Sequence, residues 1–102
     1  MRHRVADTSE LAEGELKRCE IGGVPICLAH APDGNFYALG DLCTHEEGWL
    51  SEGWLDGMDV ECPVHNSLFD LRTGEVSAPP AMDPAQTYAV SVEGSDVYVD
   101  VP

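Results

Sequence analysis

Apolar and polar residues alternate most regularly at the C-terminal end of the chain. Tyr88, Val90 and Val92 interleave with Ala89, Ser91 and Glu93, and Val97, Val99 and Val101 interleave with Tyr98 and Asp100. A period of two on both arms, joined by Gly94-Ser95, predicts an antiparallel hairpin with one buried and one wetter face. A second hairpin is predicted from Leu16–Ile21 and 24–31, with Gly22-Gly23 as its two-residue turn. That turn fixes the register: Cys19 faces Ile26, and Cys27 faces Arg18. The two thiols then point to opposite sides of the sheet, so a disulfide between them is not expected and both read as small buried apolar residues. Pro25 suits an edge or the start of a strand. Pro32-Asp33-Gly34-Asn35 is a turn leading into a third strand over 36–39, which completes a meander. Near the start, Arg4-Val5-Ala6 reads as a short strand, and Thr8-Ser9-Glu10 as the cap of one helical turn. No amphipathic helix of useful length appears. The fold class is all-β.

The alternation stops between about Asp41 and Pro80. This stretch is rich in turns, and it carries two ligand pairs, Cys43-x-His45 and Cys62-x-x-His65, separated by sixteen residues that include Gly48, Gly53 and Gly57. Each pair offers one thiolate and one imidazole from a single tight loop. A Cys₂His₂ zinc site accepts the same four ligands, although common zinc spacings pair Cys with Cys and His with His. Mixed loops also suit a [2Fe–2S] cluster with two Cys on one iron and two His on the other. Two ferric ions, two sulfides, two thiolates and two neutral imidazoles carry no net charge. An added electron therefore costs less there than on an all-cysteine cluster. The glycines would let backbone approach the metal centre closely.

The 102-residue length allows one domain, divided here into base sheets over about 1–40 and 81–102 and an inserted subdomain over about 41–80. Nineteen acidic residues against five basic ones give a net charge of −14, which disfavours nucleic acid and anionic membranes as partners. Glu46, Glu47, Glu52, Asp56, Asp59 and Glu61 all fall in the motif's spacer, so the charge serves either solubility or steering toward basic docking patches. No apolar run is long enough to span a membrane. The opening Met1-Arg2-His3-Arg4 lacks an apolar signal core, and the expected location is the cytoplasm. His3 and His30 lie outside the motif; His3 is read as solvent-exposed and His30 as a strand-end residue, and neither is expected to bind metal. Trp49 and Trp54 are read as core of the inserted subdomain, with cluster shielding or a docking surface as the other role. The chain has no Gly-x-Gly-x-x-Gly, so flavin or nicotinamide binding is not expected.

The double motif, followed by Phe69-Asp70 and Arg72-Thr73-Gly74, resembles the Rieske family, and within it the small ferredoxins of bacterial ring-hydroxylating dioxygenase systems. The resemblance covers most of the chain. It implies an antiparallel β-sandwich with an inserted cluster-binding subdomain, and one [2Fe–2S] cluster held by Cys43, His45, Cys62 and His65. It also implies an electron carrier rather than an enzyme, placed between a flavin-dependent reductase and a terminal Rieske non-haem iron oxygenase; a monomer is the default expectation. A small Rieske subunit of an assimilatory nitrite reductase and a zinc-stabilised binding module are the other readings. High-potential Rieske proteins carry an inter-loop disulfide where this chain has Gly48 and Val64. They also carry two hydroxyl donors to the cluster, where this chain has Ser67 and Phe69. Losing a donor disfavours the more negative reduced state, so the expected potential lies at the low end of the Rieske range, about −150 mV.

Overall fold

Gly22 and Gly23 both adopt positive φ, 57° and 82°, a conformation a side chain would strain. The hairpin they close has the register read from the sequence, with Cys19 opposite Ile26 and Cys27 opposite Arg18. The computed structural model describes residues 1–42, 48–64, 66–79 and 83–101. Among them the strands are β1 (Arg2–Asp7), β2 (Leu16–Ile21), β3 (Val24–His30), β4 (Phe36–Gly40), β5 (Trp54–Asp56), β6 (Asp59–Glu61), β7 (Leu68–Asp70), β8 (Val76–Ala78), β9 (Thr87–Glu93) and β10 (Asp96–Asp100). Thr8–Glu10 forms the short helical turn, of 3₁₀ type. Asp7 caps it, accepting from the Ser9 amide while Glu10 accepts from the Asp7 amide. The protein is all-β and antiparallel.

One sheet runs β1-β10-β9-β4-β3-β2, and a second runs β5-β6-β7-β8. The larger sheet is held at its middle by two registered pairs, Ala38 with Tyr88 and Leu39 with Thr87. Its ends meet over a shared core: Ala6 from β1 and Val97 and Val99 from β10 cluster with Ile26 and Leu28 from β3. The opposite face of β3 carries Cys27 and Ala29, which pack with Leu50, Val60, Cys62, Phe69 and Leu71 of the smaller sheet and its loops. β3 is therefore buried on both faces, which is why Ile26-Cys27-Leu28-Ala29 reads as an unbroken apolar run rather than an alternation. Pro25, second in this central strand, stands at a strand start rather than at a sheet edge.

Cys27 is buried and Cys19 half-buried, each a free thiol facing a different core. Burial pushes both thiols up from the usual range, Cys27 strongly, which keeps them protonated and inert. Val92 departs from the alternation. It is 45% exposed, although its partner Val97 is fully buried. The reason is neighbourhood: β1 covers Val97 from the far side through Ala6, whereas β9 has no registered pair with β4 beyond Tyr88.

Leu28→Ala is expected to lower unfolding free energy by about 2–5 kcal/mol, since it opens a cavity in the base core. Val92→Ala should change it by about 0.5 kcal/mol or less. Urea denaturation of the two variants beside the parent checks the contrast.

Candidate metal centre

The chain leaves β4 at Asp41, which is fully buried. Its amide donates to the Pro25 carbonyl at 3.0 Å, and its own carbonyl accepts from the Leu50 amide at 2.7 Å. Its carboxylate accepts from the Ser51 amide at 2.7 Å and the Ser51 hydroxyl at 2.8 Å. Leu42 and Trp49 form a bridge beside it. These bonds tie residues 41–42 to 49–51 and so close the base of the loop bearing the first ligand pair. Hydrogen bonds to a carboxylate are stronger than neutral ones, and leaving such a group buried without them is costly. Periodicity did not flag Asp41. Its only sequence signal is its place two residues before Cys43.

The second pair lies between β6 and β7, whose pairing ends at Glu61 with Leu68. The Cys62 amide donates to the Ser67 carbonyl at 2.8 Å, which closes the 62–67 loop. Asn66 takes φ 61°, a left-handed conformation that Asn tolerates better than most residues. Cys62 and Ser67 are both fully buried, and Phe69, without a hydroxyl, fills the core below them. Cys43, His45 and His65 lie outside the described residues, as do Glu46 and Glu47. Among the described residues no three His, Cys, Asp or Glu side chains form a metal-binding group.

Two of the three spacer glycines bring segments of the chain into close contact with each other. A Cβ on Gly48 would stand 2.8 Å from Val64 Cγ2 and 3.3 Å from Cys62 Sγ, so the end of the first loop rests on the second. A Cβ on Gly53 would stand 1.9 Å from the Glu61 carbonyl oxygen. Gly57 differs. Its φ is +59° with open space around it, so it serves the β5–β6 turn instead of a close approach. Gly48 and Val64 face each other, the positions at which an inter-loop disulfide was not expected. The thiolate-bearing loop is thus packed so tightly that only a hydrogen fits at Gly48, a cradle consistent with a metal centre seated between the two loops.

The two tryptophans part company. Trp49 is half-buried, with the Arg18 guanidinium 4.1 Å above its ring, whereas Trp54 on β5 is 48% exposed and is not core. A groove of about 590 Å³ runs beside the loops, lined by Leu42, Trp49, Glu52, Pro63 and Val64. Leu42 is 52% exposed there. Residues 41–80 carry nine acidic side chains and a single basic one, Arg72. That arginine holds the Asp70 carboxyl below its usual range through their hydrogen bond, the largest cause of the shift. His30 is structural: its Nδ1 lies 2.8 Å from the Leu11 carbonyl, and its ring stacks on Phe36.

The family described as the Rieske [2Fe-2S] domain matches residues 1–89. A 3-phenylpropionate/cinnamic acid dioxygenase ferredoxin subunit from Shigella boydii serotype 4 (strain Sb227) is 42% identical over 95 residues, covering 92% of this chain and 88% of that protein. The ferredoxin of carbazole 1,9a-dioxygenase from Nocardioides aromaticivorans IC177 superposes with a TM-score of 0.91 at 32% identity, covering 97% of this chain and 96% of that one. A ferredoxin chain in the complex of reduced oxygenase and oxidized ferredoxin of carbazole 1,9a-dioxygenase gives 0.89 at 35% identity, covering 96% and 91%.

Gly48→Ala should cost about 1–3 kcal/mol by overpacking and reduce the iron retained per chain. Adding Val64→Ala should restore much of the loss, because the first clash is with that side chain. Gly53→Ala meets backbone and should fall at or beyond the top of that ~1–3 kcal/mol range, with no side-chain substitution able to relieve it. Thermal unfolding and iron content of the three variants beside the parent check this ordering.

Proposed function

The chain belongs to the Rieske [2Fe–2S] domain family, and we propose that within it this protein is the ferredoxin component of an aromatic-ring dioxygenase system, passing single electrons to the oxygenase that performs the chemistry. The observation that carries this reading is the near end-to-end match with a dioxygenase ferredoxin subunit. Cys43 and His45 from the first loop and Cys62 and His65 from the second hold the cluster, one per chain. Bound there, a [2Fe–2S] cluster supplies a site that takes up and releases one electron. The base strands of 1–40 and 81–102 present the cluster-binding subdomain of 41–80.

This chain's own residues govern the environment of that site. The buried Cys62 lies against Gly48, Leu50 and Phe69, which keep water from its side of the loop pair. With Phe69 in place of a hydroxyl donor, and an acidic surround, reduction is disfavoured, and the potential lies at the low end of the family's range, about −150 mV. The excess of acid over 41–80 steers the carrier toward partners with basic docking faces. The downstream partner is a terminal Rieske non-haem iron oxygenase, a reading supported by the oxygenase–ferredoxin complex among the similar structures. The upstream donor is a flavin-dependent reductase. The carrier works as a monomer in the cytoplasm, and among the described residues no helix is long and apolar enough to cross a membrane.

Low-temperature electron paramagnetic resonance on the dithionite-reduced protein, beside the oxidised visible spectrum, tests the reading. A rhombic signal with average g below that of all-cysteine clusters is expected. A colourless, silent sample containing zinc overturns it, and so does purification in a stable large enzyme of the nitrite reductase kind. His45→Cys and His65→Cys should each abolish the cluster or give an all-thiolate spectrum at lower potential; an unchanged spectrum rules out the ligand assignment. Electron delivery to the oxygenase should slow as added salt brings the Debye length from ~30 Å to below ~10 Å, where steering by exposed charge is screened.

A further inference from the structure

The first ligand loop is closed at its base by Asp41, and one side chain from outside the inserted subdomain reaches that closure. Arg18 stands on β2, an edge strand of the base sheet. Its guanidinium lies 4.1 Å from the Trp49 ring centroid, and its Nε is 3.6 Å from Asp41 Oδ2. Asp41 and Trp49 belong to the two strands of chain that enter and leave the loop, and Leu42 and Trp49 bridge directly. Gly48, the residue before Trp49, is the one packed on Cys62 Sγ and Val64. One planar cation thus touches both ends of the first loop, one residue away from its contact with the second.

We propose that Arg18 is a positioning residue for the cluster: by gripping Asp41 and Trp49 together it keeps the first ligand loop closed against the second, and so sets how fast the cluster is lost. The role suits arginine, whose rigid guanidinium stacks on an aromatic face while its N–H groups point sideways to a carboxylate. Arg18 is 43% exposed, so the grip is partly screened by solvent and acts as an adjustable brace. Trp49 is then held at the groove wall beside Pro63 and Val64, where it narrows the approach to the seam between the loops.

This inference rests on the cluster reading above, and iron and sulfide in the purified parent establish that reading independently. In the holoprotein, Arg18→Gln should bleach about fivefold faster under chelator, and its reduced paramagnetic signal should broaden. Arg18→Lys, which keeps the cation but not the planar fork, should recover only part of both. Trp49→Leu should match Arg18→Gln, and the double variant should bleach no faster than the worse single one, because both remove the same contact. An unchanged bleaching rate in Arg18→Gln, or additive effects in the double variant, overturns the brace. If Arg18→Gln fails to fold, Trp49→Leu carries the comparison, and a bleaching rate equal to the parent's overturns the brace. If the parent holds no cluster, the function fails but the brace is still decided. Exchange of the Leu50 and Ser51 amides, both bonded to Asp41, should then be faster in Arg18→Gln, and equal rates overturn it.

Discussion

A buried carboxylate organises this molecule. Asp41 sits where the base sheet ends and the inserted subdomain begins, and it joins the two in four directions: back to Pro25, across to Leu50, and through both carboxylate oxygens to Ser51. Burying an ionisable group is unfavourable unless its oxygens are filled, and here the partners come from the far end of the loop they close. The same bonds that satisfy Asp41 therefore define where the loop of Cys43 and His45 starts and stops. A loop proposed to bring one Cys and one His to a two-iron cluster needs its ends fixed, because displacements well below an ångström spoil coordination geometry.

The second constraint is β3. Its alternate residues serve two cores, Ile26 and Leu28 facing the folded-over base and Cys27 and Ala29 facing the smaller sheet. One strand thus carries the base core on one side and supports the cluster-bearing loops on the other. That arrangement explains why a free cysteine is tolerable in the same core cluster as Cys62. Cys27 is sealed in apolar packing, with its thiol pushed up and kept protonated, so it does not compete as a ligand or oxidise with Cys19 across the sheet.

The hairpins were legible because their information is local. Gly22-Gly23 and Gly94-Ser95 each set a register by turn geometry alone, and period-two alternation said which face goes inward. The all-β class was readable for the same reason. What the sequence did not disclose is long-range. The exposure of Val92 depends on where β4 stops pairing with β9, the burial of Asp41 depends on Ser51 ten residues on, and Trp54 and Trp49 look alike in sequence but differ in what lies above them. Gly57 was misread beside Gly48 and Gly53, because a glycine needed for positive φ and one needed for contact are the same letter.

Gly48 and Val64 bring these constraints to one point. High-potential members of the resembling family place a covalent bridge there, which would hold the loops together whatever the rest of the domain did. This chain has a hydrogen against a methyl group instead, a contact that transmits position only while both loops are pressed together. The pressing must come from elsewhere: from Asp41 closing the first loop, from the Cys62 amide bonded to Ser67 closing the second, and from the β3 core beneath both. Without a covalent staple, the seam depends on distributed noncovalent contacts, each modest and several of them partly solvent-exposed. A carrier built this way depends on packing, rather than on a covalent bridge, to hold the two loops in register.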